Sequence, residues 1–163
     1  MTCDLKMTIG ATKHHCMRKT AMIVIVDNDP NWNDDLVKMI RRFFHLEIEP
    51  FRSFAAAEAW LYEKKDDFHL LITDLYPKNS SENIGARLVT FADQICKRPA
   101  FIITAEDNFA RIAWQDLRVK GFFDKGKFSR IEFILAVRSV LKDFDIDLPP
   151  AKRGDDDKPP IFT

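Results

Sequence analysis

The chain has 163 residues, 46% of them hydrophobic with 14 phenylalanines, which is the size and core content of one domain with modest tails. Lysine plus arginine and aspartate plus glutamate each number 25, so no net positive field exists to hold nucleic acid or an anionic membrane surface. Apolar runs fall well short of the roughly 20 residues that span a bilayer. Three cysteines without framework spacing, Cys3, Cys16 and Cys96, point to reduced thiols in a cytoplasmic protein.

Residues 1–20 carry no hydrophobic period and read as a flexible extension. The adjacent His14, His15 and Cys16 cannot all reach one ion, and no partner pair follows at ligand spacing. From Met22 onward, short apolar runs alternate with amphipathic segments, which predicts a parallel sheet with helices on both faces. The first strand, Met22 to Val26, leads to a helix with Asp29 as N-cap and Pro30 at its first position, where Leu36, Val37, Ile40 and Phe44 form a core face. The second strand, about Leu46 to Phe51, contains Pro50 and so suits a sheet edge. A helix from about Ser53 to Lys65 follows.

The run from Phe68 to Thr73 is short enough for a buried strand and ends on Asp74. After a polar loop from Lys78 to Asn83, Leu88, Phe91, Ala92 and Ile95 mark the apolar face of the next helix. Phe101-Ile102-Ile103 is the fourth strand, running into Thr104, with a short helix after it carrying Phe109, Ile112, Ala113 and Leu117. Gly121 to Asp124 is the fifth strand, running into Lys125, and the last helix carries Ile131, Ile134, Leu135 and Leu141. Proline, glycine and clustered charge mark residues 146–163 as a disordered tail. The expected globular unit is therefore 21–145.

Open α/β sheets collect their chemistry at the carboxyl ends of the strands. Asp27 and Asn28, Asp74, Thr104 and Lys125 occupy four such ends. Singly each is ordinary, since a strand-end Asp is most often a turn former or cap and most lysines are simply solvated. Together they are specific. Two carboxylates about 4 Å apart repel by about 4 kcal/mol at an effective dielectric of 20, so a cation is expected between them, and oxygen ligands suit Mg²⁺. Asp29, followed by Pro30, is better explained as a cap than as a site residue.

From Ala21 to Phe144 this pattern resembles the receiver domain of two-component response regulators. The resemblance implies a flavodoxin-like, doubly wound, five-stranded parallel sheet in three layers, and a stand-alone receiver. It implies that Asp74 accepts a phosphoryl group from a histidine kinase or phosphotransfer protein. It further implies that Asp27, Asn28, Asp74 and the Tyr76 backbone carbonyl hold Mg²⁺, and that Thr104 and Lys125 contact the added group. Phe122 matches the switch aromatic, and Tyr76 and Glu106 the positions that set the phosphoryl lifetime. Such a protein is no enzyme beyond its own phosphorylation and dephosphorylation, and it signals to a downstream protein target.

The sequence departs from the family at three places. Asn28 replaces a second carboxylate, which weakens Mg²⁺ binding; Pro77 and Gly85 are displaced around the polar loop; and Gly126 replaces the proline after the lysine. Thr104 and Lys125 are expected to touch only the added group, so that removing either leaves the fold intact. The alternative is a degenerate receiver that binds partners without phosphorylation. A weaker resemblance of Met22 to Asp29 is to haloacid-dehalogenase-type phosphatases, with Asp27 as nucleophile, but the order of Asp74, Thr104 and Lys125 along the chain opposes it.

Overall fold

The computed structural model describes residues 20–76, 82–105, 118–144 and 146. Five parallel strands, β1 (Met22–Val26), β2 (Glu47–Phe51), β3 (Leu70–Thr73), β4 (Ala100–Thr104) and β5 (Gly121–Asp124), form one sheet in the order β2-β1-β3-β4-β5. The doubly wound arrangement expected from the alternating pattern is therefore the observed one, and β2, with Pro50, lies at an edge. Helices α1 (Pro30–Phe43), α2 (Phe54–Glu63), α3 (Ile84–Phe91) and α4 (Arg130–Lys142) cover the two faces. No helix among the described residues is long and apolar enough to cross a membrane.

Each helix starts where the sequence supplies a cap. Asp29 accepts hydrogen bonds from the Asn31 and Trp32 amides, and Pro30 takes the first helical position, where its missing N–H costs nothing. Ser53, Asn83 and Ser129 do the same for α2, α3 and α4 through the amides of Ala56, Ala86 and Glu132.

Alternation along the strands divides the core in two. Ile23, Ile25, Ile72, Phe101 and Ile103 face α1 and α4, and meet Leu36, Ile40, Phe133, Val137 and Leu141. Val24, Val26, Leu71 and Ile102 face α2 and α3, and meet Ala57, Leu61, Leu88 and Val89.

Two helix faces differ from the sequence expectation. On α4 the buried residues are Phe133, Ile134, Val137, Val140 and Leu141, whereas Ile131 and Leu135 are 75% and 57% exposed. They line a cleft of about 670 Å³ between α4 and α1, together with the exposed Phe43. Beyond α3 the chain widens into a π turn, Ala92–Cys96, so Leu88, Ala92 and Cys96 point inward at every fourth residue and Ile95 is 59% exposed. The expected extension 1–20, apart from Thr20, the tail apart from Ile146, and the helix carrying Phe109 to Leu117 lie outside the described residues.

Candidate functional site

Register places the two carboxylates side by side. Val26 of β1 pairs with Thr73 of β3, and Asp74 N–H donates to the Val26 carbonyl at 2.9 Å, so Asp27 and Asp74 are the next residues on adjacent central strands. Each lies two residues beyond a side chain that faces the α1/α4 core, Ile25 and Ile72. Thr104 pairs with Asp124 at the ends of β4 and β5, and Lys125 opens a 3₁₀ turn just beyond.

Lys125 reaches back over the sheet. Its ammonium lies 2.7 Å from Asp27 Oδ2 and 2.7 Å from Asp74 Oδ2. The contact to Asp74 is a hydrogen bond; that to Asp27 is an ion pair without hydrogen-bond alignment, and Asp27 Oδ2 is buried with no donor of its own. The remaining oxygens are held by backbone: Asp27 Oδ1 accepts from Asp29 N–H at 2.9 Å, and Asp74 Oδ1 from Leu75 N–H at 2.6 Å. Burial pushes the Asp27 carboxyl above the ordinary carboxylate value, against the pull of Lys125. Burial would lower the Lys125 ammonium, but its contacts with Asp27 and Asp74 outweigh that and hold it above its usual value.

The sequence expectation that Lys125 and Thr104 touch only an added group does not hold for Lys125, which already pairs with Asp27 and Asp74, and Thr104 is built into the end of β4. The Lys125 side chain is 10% exposed and Thr104 is 2% exposed. A buried ammonium between two buried carboxylates is structural as well as chemical, because removing it leaves uncompensated charge.

Asp29 serves as the α1 cap, so its carboxylate is engaged with helix amides rather than with the Asp27 and Asp74 pair. Phe122 is half-buried and packs on the α2/α3 side of the sheet. Tyr76 is half-buried there too, its hydroxyl accepting from Asn83 Nδ2 at 3.4 Å. Glu106 and Pro77 lie outside the described residues.

Three further residues build the site. Asn33, buried on α1, donates to the carbonyls of Asp27 at 3.1 Å and Phe51 at 2.9 Å, which fixes the β1 end against β2. Its spacing to Leu36, Val37 and Ile40 puts a lone polar residue on an apolar stripe, a signal legible in the sequence. Trp32 lies with its ring centroid 5.5 Å from Lys125 Nζ and stacks edge-on with Phe128, so it roofs the ammonium. No sequence signal marks Trp32.

Gly85, which looked displaced, is tight against the backbone at the end of β3. A Cβ there would stand 1.9 Å from the Asp74 carbonyl oxygen, and Gly85 N–H donates to the Leu75 carbonyl. Only a glycine lets the start of α3 approach so closely.

Mg²⁺ can be tested against these groups. The Asp27 and Asp74 carboxylates are of the kind a hard cation takes, although Lys125 already stands 2.7 Å from Oδ2 of each, and among the described residues the half-buried Asn28 amide makes no hydrogen bond. Yet no cluster of three acidic, histidine or cysteine side chains with metal-holding geometry occurs among the described residues. The fit is that of a weak site with two anionic ligands.

Sheet order, helix placement and strand-end site together define a flavodoxin-like doubly wound domain. The fold is that of response regulator receiver domains. It is similar to the signal receiver domain of an HD domain-containing protein from Pseudomonas fluorescens, at TM-score 0.65 and 16% identity over 77% of this chain and 89% of that one. A CheY-like response regulator receiver domain protein from Methanospirillum hungatei gives 0.64 and 14% over 77% and 97%. The isolated receiver domain of RcsB from Salmonella enterica, in the presence of the phosphomimetic BeF3−, gives 0.62 and 21% over 76% and 89%. No protein-family model and no curated protein sequence matches the chain.

Proposed function

We propose that the protein is a response regulator receiver in the cytoplasm. On this reading it takes a phosphoryl group on Asp74 from a phosphohistidine of a kinase or phosphotransfer protein and signals by phosphorylation-dependent binding to another protein. The observation that carries the reading is Lys125 Nζ at 2.7 Å from the carboxylates of both Asp27 and Asp74, at three strand ends of a 2-1-3-4-5 sheet.

In the transfer, an Asp74 carboxylate oxygen forms a bond to phosphorus as the phosphorus–nitrogen bond of the donor breaks, the electron pair leaving with the imidazole nitrogen. Lys125, already hydrogen-bonded to Asp74, keeps its charge beside the phosphoryl oxygens and offsets theirs. Mg²⁺, which Asp27, Asp74, the Asn28 amide oxygen and the Tyr76 carbonyl would hold, supplies further charge neutralisation when bound. The added group brings a charge of roughly −1.5 to −2, by analogy with other phosphoresidues, and Thr104 turns its hydroxyl to it. Phe122, packed beside Thr104's strand, follows into the vacated space. Tyr76 and Glu106 set the rate at which water cleaves the acyl phosphate. The protein catalyses only its own turnover.

A second reading, a binding module independent of phosphorylation, is favoured by one observation. With Asn28 in place of a carboxylate, Lys125 alone among the described residues bridges the acidic pair, so the site balances much of its charge without a metal. Intact-mass measurement after incubation with acetyl phosphate and Mg²⁺ separates the two. One phosphoryl added to the protein, and none to Asp74→Ala, is the expected result; no addition would support the second reading, and equal addition to the variant would move the acceptor elsewhere.

A further inference from the structure

At the end of the sheet opposite Asp74, Lys97–Pro99 lead into β4 and Arg118–Lys120 lead into β5, beside the last turn of α4. They enclose a cavity of about 290 Å³. Lys97, Arg98, Arg118 and Lys120 line it, and none of the four makes a salt bridge among the described residues. Asp93 and Asp143 border it as well, and the π turn and α4 end there, each helix end carrying about half a negative charge. Four cations still exceed that total.

Surface lysines and arginines are usually just solvated. Arg98 is different. Its Nε is buried and donates no hydrogen bond among the described residues, and its guanidinium stands 5.4 Å over the Phe144 ring. A buried donor among cations that are unpaired among the described residues calls for an acceptor, and an arginine fork suits the oxygens of phosphate. At the cavity edge Lys97 holds the left-handed φ of 54° that caps the π turn, and Arg118 holds one of 52°. The angle at Arg118 is uncommon for a residue with a Cβ and persists where the surroundings impose it.

We propose that this cavity binds a small organic phosphomonoester. The phosphate lies among Arg98, Arg118, Lys97 and Lys120, and the organic body rests on Pro99, Val140 and Phe144. The volume, near the lower end of the roughly 300–1,000 Å³ usual for ligand pockets, fits a sugar phosphate or a mononucleotide and not a polymer. The site shares no residue with the Asp74 centre, so it stands whether or not Asp74 is phosphorylated.

The test is a titration of the full chain, followed by amide NMR in EDTA so that no metal or phosphoryl transfer intervenes. Glucose 6-phosphate and AMP are compared with glucose, adenosine and inorganic phosphate. Saturable shifts at Lys97, Arg98, Lys120 and Phe144 with one or both phosphomonoesters, and none with the neutral compounds, are expected. Arg118→Ala combined with Lys120→Ala, both exposed and so safe for folding, should weaken binding roughly tenfold or more. Absence of saturable shifts up to the solubility limit, or unchanged affinity in the double variant, would overturn the proposal. So would inorganic phosphate binding as tightly as the esters, since the organic body would then contribute nothing.

Discussion

Lys125 is the residue on which the site's electrostatics turn. It is 10% exposed and lies between Asp27, 2% exposed, and Asp74, so Lys125→Met leaves two acidic side chains facing each other without a cation. Breaking a buried pair in this way costs about 3–5 kcal/mol. The pH dependence has a defined sign. Burial raises the Asp27 carboxyl in the folded state above its unfolded value, so the native state binds that proton more tightly and stability falls as pH rises from the ordinary carboxylate value through the raised one. Lys125 opposes the shift, so its loss widens the window upward. Melting curves in EDTA should show the variant losing more stability than wild type as pH rises from acid toward neutrality; parallel curves would mean that the pair is solvated.

Asn28 is the second residue-scale test. In Asn28→Asp, without metal, the new carboxylate repels Asp27 and Asp74 and lowers stability by about 1 kcal/mol or more. With Mg²⁺ the same charge becomes a ligand, and a hard dication prefers an anionic oxygen to an amide. A ligand that binds only the native state stabilises it by mass action, so the Mg²⁺-induced rise in melting temperature should be larger in the variant. An equal rise would place Asn28 away from the metal.

At the scale of elements, α3 is set by a single close approach. Gly85→Ala puts a methyl 1.9 Å from the Asp74 carbonyl oxygen, a backbone atom that cannot rotate aside, so α3 must move off β3. Overpacking of this kind costs about 1–3 kcal/mol, read as a lower denaturant midpoint with unchanged slope, and it should also slow phosphorylation by shifting Asp74. A midpoint equal to wild type would mean that the loop before α3 absorbs the displacement. The sequence marks Gly85 only as a glycine out of its usual spacing; the carbonyl it meets is a tertiary fact.

The strands were legible because each is a short apolar run between polar segments, and the strand-end residues were legible because a parallel sheet puts all its carboxyl ends on one edge. Helix faces were less so. On α4 the apolar residues nearly encircle the helix, so the period could not decide that Phe133 and Val137 face inward while Ile131 and Leu135 face out. The π turn after α3 changes the repeat from within, which a 3.6-residue template cannot register. Trp32 over Lys125 depends on where α1 sits relative to β5, which no local pattern encodes.

For the molecule as a whole, the first core cluster ties early residues of the described chain to late ones. It begins with Ala21, whose carbonyl accepts from Glu47 N–H, and reaches Phe144 and Ile146, which pack against it after α4 has ended. Phe144 ties the chain's late residues to early ones: its ring meets His69 edge-on at 5.6 Å and lies under Arg98. His69 Nδ1 in turn accepts from Met22 N–H at the start of β1. A fragment of residues 20–146 therefore contains every buried residue of the described core, and it should unfold in one cooperative transition at a melting temperature close to that of the full chain. A fragment stopping at Lys142 loses the Phe144 and Ile146 contacts. Because both side chains are only partly buried, the loss should be about 1–2 kcal/mol, or roughly 3–8 °C for a domain of this size. Calorimetry of the three chains decides it. Equal melting temperatures for the two fragments would show that the ring cluster at the foot of the sheet contributes nothing to the fold, whereas a fragment 20–146 melting far below the full chain would show that residues outside it add to the core.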